Sequence, residues 1–163
     1  MARRSTLRLY SFSHKNTSLK RRDALAFSYA QIGEFLPAAT DRFGGEYAVV
    51  STCNRTEFYC WNGAGEQFWE PFARFVAQFK GIEPEALASP EVHTGLAAAR
   101  HLCRVSSSLE SLALGENEIL GQVKDAHQIL LDSSVDSSVL DQLFQFAIRA
   151  GKDIRTDTAL CEG

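Results

Sequence analysis

Residues 46–61 read Glu46-Tyr47-Ala48-Val49-Val50-Ser51-Thr52-Cys53-Asn54-Arg55-Thr56-Glu57-Phe58-Tyr59-Cys60-Trp61. The runs 46–50 and 58–61 are rich in β-branched and aromatic residues, which favour β-strands. The polar segment between them contains Cys53 and, two positions later, Arg55. We therefore predict two strands joined by a polar turn that carries a cysteine at a strand end.

The surroundings of Cys53 allow two interpretations. A cysteine at a strand end is most often a small, half-buried apolar residue. Here Ser51, Thr52, Asn54 and Arg55 make the surroundings polar. A nearby fixed cation lowers the pKa of a thiol, and the thiolate is the nucleophilic form. The guanidinium could also hold a substrate carboxylate through a bidentate contact.

The composition is that of a globular protein of 163 residues, with 45% hydrophobic and 23% charged residues. The net charge of -3 argues against a general polyanion binder. The four cysteines lie far apart and form no CxxC pair, so we expect neither a metal site nor disulfides. We find no apolar run that could span a bilayer and no secretory signal, so we expect a cytoplasmic location without membrane contact.

The order of the predicted elements indicates an α+β fold. A strand at 7–13 is followed by a helix at Leu19–Ile32, with Thr17 or Ser18 as N-cap, and by a connection marked by Pro37 and Gly44-Gly45. After the two strands around Cys53 come a helix at 67–79 and a strand at 91–94. This order is that of a ferredoxin-like βαββαβ core.

A helical extension is predicted after this core, with helices at 95–107, 117–132 and 137–155. We expect one domain over 1–163, with the core at about 1–94 and the extension at about 95–158. No G-x-G-x-x-G motif occurs, so the sequence offers no dinucleotide site.

His101 lies in the first helix of the extension. At about 100° per residue it falls opposite the small and apolar face of that helix, on the side of Arg100 and Arg104. It is either an exposed histidine or a proton donor that faces a cleft. The small and apolar face comprises Leu96, Ala99, Leu102, Cys103 and Ser106.

A second polar group begins the next helix. Glu116 and Glu118 could simply complement the helix N-terminus. Alternatively Glu116, Glu118 and Gln122 project toward a ligand amine or hydroxyl, and Glu118 and Gln122 are four residues apart on one flank. Together with Arg55 for a carboxylate, such a group would suit an amino acid substrate.

These motifs resemble the N-terminal catalytic domain of glutamyl-tRNA reductases over nearly the whole chain. His14-Lys15 resembles the first motif of that family, and Ser51 to Glu57 matches its nucleophile motif. The longest signature runs from His101 to Lys124. Residues 143–145, 151–152 and 155–158 match the approach to the next domain of the family.

The resemblance implies a mechanism. The Cys53 thiolate attacks the ester between glutamate and tRNA, a thioester forms and tRNA leaves. Hydride from NADPH then gives glutamate 1-semialdehyde, which leads to 5-aminolevulinate and tetrapyrroles by the C5 pathway. Carried over by position, the resemblance makes Cys53 and His101 catalytic and implies substrate contacts at Thr52, Asn54, Arg55, Ser111, Glu116, Asn117, Glu118 and Gln122.

The chain departs from the family in three respects. Asn16-Thr17-Ser18 follows His14-Lys15 where the family has Thr-Ala-Pro. Glu118 stands where the family usually has glutamine, which adds a negative charge near the expected glutamyl site. The chain also ends before the NADPH-binding and dimerisation domains of the family, so we expect no NADPH on these residues and no reductase activity from them alone. The resemblance implies a homodimer of the full-length protein and glutamate-1-semialdehyde aminomutase as a pathway partner.

Two other function classes remain open on the sequence. Ferredoxin-like sheets often bind RNA by stacking bases on exposed aromatic residues, and Tyr59 and Trp61 share one strand face. No RNP-type motif accompanies them. A thiol hydrolase of small esters would use the same cysteine without needing tRNA.

Overall fold

The computed structural model describes residues 3–110 and 118–158. Within them four β-strands form one antiparallel sheet, and helices flank it on both sides. The strands are β1 (Thr6–Ser13), β2 (Glu46–Thr52), β3 (Arg55–Asn62) and β4 (Glu91–Thr94). The α-helices are α1 (Leu19–Leu25), α2 (Tyr29–Phe43), α3 (Trp69–Lys80), α4 (Leu96–Ser106), α5 (Glu118–Asp132) and α6 (Ser138–Thr158).

The strand order is β2-β3-β1-β4, and each neighbouring pair is antiparallel. Because side chains alternate along a strand, the register divides the sheet into two faces. One, here called the aromatic face, carries Tyr10, Phe12, Tyr47, Val49 and Phe58. The other, here called the polar face, carries Ser11, Arg55, Glu57, Tyr59 and His93.

The aromatic face packs against α1, α2 and α3. Phe72 of α3 is fully buried, with its ring centroid 5.6 Å from that of Phe58 and 5.7 Å from that of Tyr47. Phe35 of α2 lies against the same group, 6.0 Å from Phe58. Offset and edge-to-face aromatic pairs of this kind add to the free energy gained from burial of their area.

The polar face is covered by the helices of the C-terminal half. The Phe144 ring of α6 lies edge-on to Tyr59 at 5.7 Å. The Glu46 carboxylate of β2 accepts hydrogen bonds from the backbone N–H of Val139 (3.2 Å) and Leu140 (2.8 Å), so it caps the start of α6. Helices α4 and α6 approach so closely at Gly151 that a Cβ there would lie 2.6 Å from the Ser106 carbonyl oxygen.

The expected mixed fold with a helical C-terminal half is confirmed. The expected single helix at Leu19–Ile32 is wrong, because the chain breaks between α1 and α2. Ser28 starts the second helix with a capping box, in which its hydroxyl accepts from the Gln31 N–H and the Gln31 side chain accepts from the Ser28 N–H. Pro37 was expected in a connection, but it lies inside α2. Among the described residues no helix is long and apolar enough to cross a bilayer.

Candidate active site

Cys53 and Asn54 form the two-residue turn between β2 and β3. Thr52 and Arg55 are the last paired residues below them. Neither turn residue has a positive φ, so the turn is not one of the primed types that two-residue hairpins favour. The Asn54 N–H donates to the Thr52 hydroxyl at 3.2 Å, and the Asn54 carbonyl accepts from the His14 N–H at 3.0 Å. Cys53 is exposed at this turn, which a hydrogen bond within the hairpin and one from the segment after β1 hold in place.

Arg55 lies beneath this turn and is only 3% exposed. Its Nη1 donates to Glu57 Oε2 at 3.4 Å, and its Nη2 donates to the backbone carbonyl of Glu110. The guanidinium is thus held by acceptors from within the protein. It joins the hairpin to the segment that follows α4.

Glu57 is the centre of the buried polar contacts. Its carboxylate accepts from the Ser11 hydroxyl (2.7 Å), the Tyr59 hydroxyl (3.2 Å) and Arg55, and it lies 2.5 Å from His101 Nε2. Burial opposes the charged form, but the hydrogen bond and charge of His101, the charge of Arg55 and the Ser11 hydroxyl hold the pKa of Glu57 below its usual value. A buried carboxylate with this many partners stays ionised.

His101 is 7% exposed and faces the sheet. Its predicted position opposite the packed face of the helix is wrong: the buried residues of α4 are Ala98, His101, Leu102, Val105 and Ser106, whereas Leu96 is 67% exposed. The prediction was wrong because it assumed that the apolar residues of α4 face the sheet, whereas α4 packs on the part of the sheet that contains the ionised Glu57. Glu57 provides the polar partner that makes a buried histidine favourable there.

Glu110 is a second carboxylate beside the hairpin. It forms ion pairs with Lys15 and with Arg104, whose Nε lies 2.6 Å from Glu110 Oε1. Burial opposes ionisation of Glu110, but the hydrogen bonds from Lys15 and Arg104 lower its pKa to about 2. Its backbone carbonyl also accepts from Arg55. Arg55, Glu57, His101 and Glu110 are called the ion network below.

His14 follows β1 and lies beside the turn, where its backbone N–H donates to the Asn54 carbonyl at 3.0 Å. Burial and the charges of Arg55, Lys15 and Arg22 lower the pKa of His14. Its Nδ1 is buried without a hydrogen-bond partner within the part of the chain that the structure describes. The lowered pKa favours the uncharged form of this imidazole.

The remaining predicted substrate residues lie on or before α5. Glu118 is exposed at the start of α5 and Gln122 is half-buried one turn later, and α5 packs along β2. Ser111, Glu116 and Asn117 lie outside the described residues.

Glu57 and Glu110 were not among the predicted site residues. Strand alternation was the signal that could have identified Glu57, because residues 55 and 57 of one strand share a face. Glu110 carried no comparable signal, since it follows the end of α4 and meets Lys15 through the tertiary structure.

A dinucleotide cofactor does not fit the described residues. Such cofactors bind beyond the carboxyl ends of parallel strands, at a glycine-rich turn that leads into a helix. Each pair of neighbouring strands in this sheet is antiparallel, and no G-x-G-x-x-G motif occurs in the sequence.

Comparisons with known proteins show which family this chain resembles in sequence and in fold. The family model described as "Glutamyl-tRNAGlu reductase, N-terminal domain" matches residues 10–158. Glutamyl-tRNA reductases from Nitrosococcus oceani and Idiomarina loihiensis are 38% and 39% identical over 93% and 95% of this chain. The chain spans 36% of the length of each of these two relatives.

A solved structure gives the same result at the level of the fold. The glutamyl-tRNA reductase from Methanopyrus kandleri matches with a TM-score of 0.73 and 28% identity, over 93% of this chain and 34% of that one. Because the family model covers most of the chain and the fold agrees, the chain belongs to the glutamyl-tRNA reductase N-terminal domain family.

Proposed function

We propose that this chain is the part of a glutamyl-tRNA reductase that takes the glutamyl group from tRNA onto Cys53. The observation that carries the proposal is the exposed Cys53 on a turn directly above the buried ion network. The other two described cysteines are less suited to this role, because burial raises the pKa of both the Cys60 and the Cys103 thiols. The family membership supplies the substrate class.

The proposed step transfers an acyl group from oxygen to sulfur. The Cys53 sulfur forms a bond to the carbonyl carbon of the ester, and the bond from that carbon to the ribose oxygen of tRNA breaks. The leaving oxygen takes up one proton, which balances the proton that the Cys53 thiol gave up on ionisation, and a thioester remains on the protein. The family resemblance assigns reduction of that thioester to NADPH, with glutamate 1-semialdehyde as product, and the described residues contribute no step to it.

Arg55 is proposed to act as a fixed positive charge beneath the reacting group. Its guanidinium is held by Glu57 and by the Glu110 carbonyl, so little conformational entropy is lost when substrate binds above it. Thr52 and Asn54 flank the thiol and are proposed to orient the glutamyl group. His101, held by Glu57, is proposed as the second catalytic residue.

The other proposed substrate contacts lie at the start of α5. Glu118 and Gln122 are proposed to contact the glutamyl amine, together with Ser111, Glu116 and Asn117 of the segment that precedes them. Glu118 adds a negative charge that would attract an ammonium group. A Glu118→Gln variant would show how much of the affinity for substrate depends on that charge.

We also propose the broader assignments that the family resemblance implies. The strand order β2-β3-β1-β4 supports a ferredoxin-like classification of the sheet half. The biological role would be the reductase step of the C5 pathway to 5-aminolevulinate and tetrapyrroles, in the cytoplasm. A homodimer of the whole reductase and glutamate-1-semialdehyde aminomutase are the proposed assembly and partner.

The RNA-stacking alternative depends on Tyr59 and Trp61, of which Tyr59 is buried and Trp61 half-buried. Tyr59 is 0% exposed because Phe144 of α6 packs on it. A sheet that presents aromatic residues to bases must leave that face open. We therefore favour covalent chemistry at Cys53 over base stacking on the sheet.

The direct test is mass spectrometry of the chain after brief exposure to glutamyl-tRNA. We expect one glutamyl adduct on the peptide that contains Cys53 and none in Cys53→Ser. Cys103→Ser is the matched control and should still form the adduct, because that half-buried thiol has no role in the proposal. An adduct that survives in Cys53→Ser, or none in the wild-type chain, would contradict the proposed chemistry.

Two additions to this assay separate the alternatives. A small glutamyl ester in place of glutamyl-tRNA should give much less adduct, whereas a general thiol hydrolase would accept both. Addition of NADPH should yield no semialdehyde from these 163 residues. Formation of semialdehyde would show that the chain itself binds the cofactor productively.

A further inference from the structure

Three potential metal ligands meet where β4 leads into α4. Glu91, His93 and His101 each offer one ligand atom, and these atoms all lie within 4.8 Å of one another. Within residues 3–110 and 118–158 no other group of three histidine, cysteine or acidic side chains comes this close. Two of the three belong to a short edge strand, and the third comes from the helix that packs on it.

Sheet register brings the three side chains to one face. Glu91 and His93 are two residues apart on β4, so both point toward the polar face. They pair with Ser11 and Leu9 of β1, which fixes their position relative to the ion network. The His93 and His101 rings lie 4.9 Å apart between centroids.

His101 has the kind of outer contact that metal-binding histidines usually have. Its Nε2 lies 2.5 Å from a Glu57 carboxylate oxygen, which leaves the other ring nitrogen for a ligand. Metal-bound histidines almost always donate their second N–H to a carboxylate, a carbonyl or water, which fixes the ring and raises its basicity. Glu57 provides this outer contact without belonging to the trio.

The exposure of the three side chains decreases from the edge strand to the helix. The side-chain exposure is 41% for Glu91, 27% for His93 and 8% for His101. His93 Nε2 lies 2.7 Å from Glu91 Oε1, so two ligands already converge. Ligand atoms around tetrahedral zinc are about 3.3 Å apart, so the three side chains need to approach one another by no more than ~1.5 Å to close the set.

We propose that Glu91, His93 and His101 form a binding site for a divalent transition metal ion of the zinc class. Two imidazoles and one carboxylate match the donor sets of three-ligand zinc sites, whose fourth position is left to water. Imidazole donors disfavour magnesium and calcium, which prefer oxygen. This proposal differs from the expectation of no metal site. That expectation came from the absence of a spacing motif, and His101 reaches the other two ligands only because α4 packs on β4.

The test is a titration of the chelator-treated chain with Zn²⁺ by isothermal titration calorimetry. We expect one ion per chain, and a loss of affinity of at least about 100-fold in His93→Ala. Glu57→Gln should lower the affinity by about 10-fold or more through the outer contact. Co²⁺ in place of Zn²⁺ should give a visible spectrum of tetrahedral nitrogen and oxygen ligation without a thiolate band.

Two control variants separate this site from other zinc-binding groups. His127→Ala removes a histidine of α5 that pairs with Asp141, and Cys53→Ser removes the exposed thiol. Both should bind Zn²⁺ as the wild type does. The proposal is overturned if His93→Ala binds Zn²⁺ within about 2-fold of the wild type, or if either control removes binding. The result does not depend on the proposed acyl transfer, which the adduct assay tests separately.

Discussion

On one side of the sheet, Phe58 of β3 packs among the rings of Phe35 and Phe72. On the other side, its neighbour Glu57 lies fully buried among Ser11, Arg55, Tyr59 and His101. The same strand thus contributes to an apolar layer and to an ionised one. The two layers differ in what holds them together: burial of aromatic area on the aromatic face, and matched charges and hydrogen bonds on the polar face.

The two faces contribute differently to the stability of the fold. Burial of rings lowers the free energy of the fold in proportion to the area removed from water. Buried ion pairs contribute little net stability, because desolvation offsets much of the attraction, but loss of one partner is costly. Stability therefore does not explain why the polar face contains charged residues. This face lies under the exposed Cys53 thiol, where charged groups can serve chemistry.

The largest effect on stability is expected from Phe72→Ala. The substitution removes a fully buried ring from the centre of the aromatic face and leaves a cavity, so the free energy of unfolding should fall by about 3–5 kcal/mol. Urea unfolding would measure it. Phe146→Ala is the control, because that ring of α6 is 62% exposed and its loss should cost under ~0.5 kcal/mol. Equal losses would contradict the assignment of stability to the aromatic face.

The next effect is expected from Glu57→Gln on the polar face. The variant keeps the shape but leaves Arg55 and His101 without their anionic partner, and we expect a loss of about 2–4 kcal/mol. Glu70→Gln is the control, because it breaks an exposed pair with Arg74 and should cost no more than ~0.5 kcal/mol. Adduct formation at Cys53 should also fall in Glu57→Gln and stay unchanged in Glu70→Gln. A stable and fully active Glu57→Gln would show that the ion network is dispensable.

The smallest effect is expected from the pH dependence of Glu110. Its pKa is lowered to about 2 in the folded chain, so its contribution to stability is present above about pH 4.5 and is lost as the pH falls toward 2. Because Lys15 and Arg104 are half-exposed, solvent screening should limit this contribution to about 1–2 kcal/mol. Urea unfolding between about pH 5 and pH 2.5 should show a smaller decline in Glu110→Gln than in the wild type. Parallel curves for the two proteins would contradict the lowered pKa.

The local elements were largely predictable because they depend on short-range patterns. The strand pair around Cys53 and the helices of the C-terminal half follow from alternation and from helical periodicity, and they lie within a few residues of their predicted bounds. The break between α1 and α2 was missed because the Ser28 capping box outweighed a continuous helical pattern. The position of His101 was missed because a hydrophobic pattern contains no information that a helix packs on an ionised surface.

The sequence alone determined that a cysteine stands in a polar turn between two strands, with an arginine two positions after it. These are consequences of residue identity and of the strand-favouring residues on either side. The structure extends β3 back to Arg55, and the two-residue repeat of a strand then puts Arg55 and Glu57 on one face. Only the tertiary structure decided that this face is covered by α4 to α6 and that His101 meets Glu57. It also decided that Glu91 and His93 meet the same histidine. Contacts between residues tens of positions apart depend on how helices dock on the sheet, and no local pattern encodes that docking.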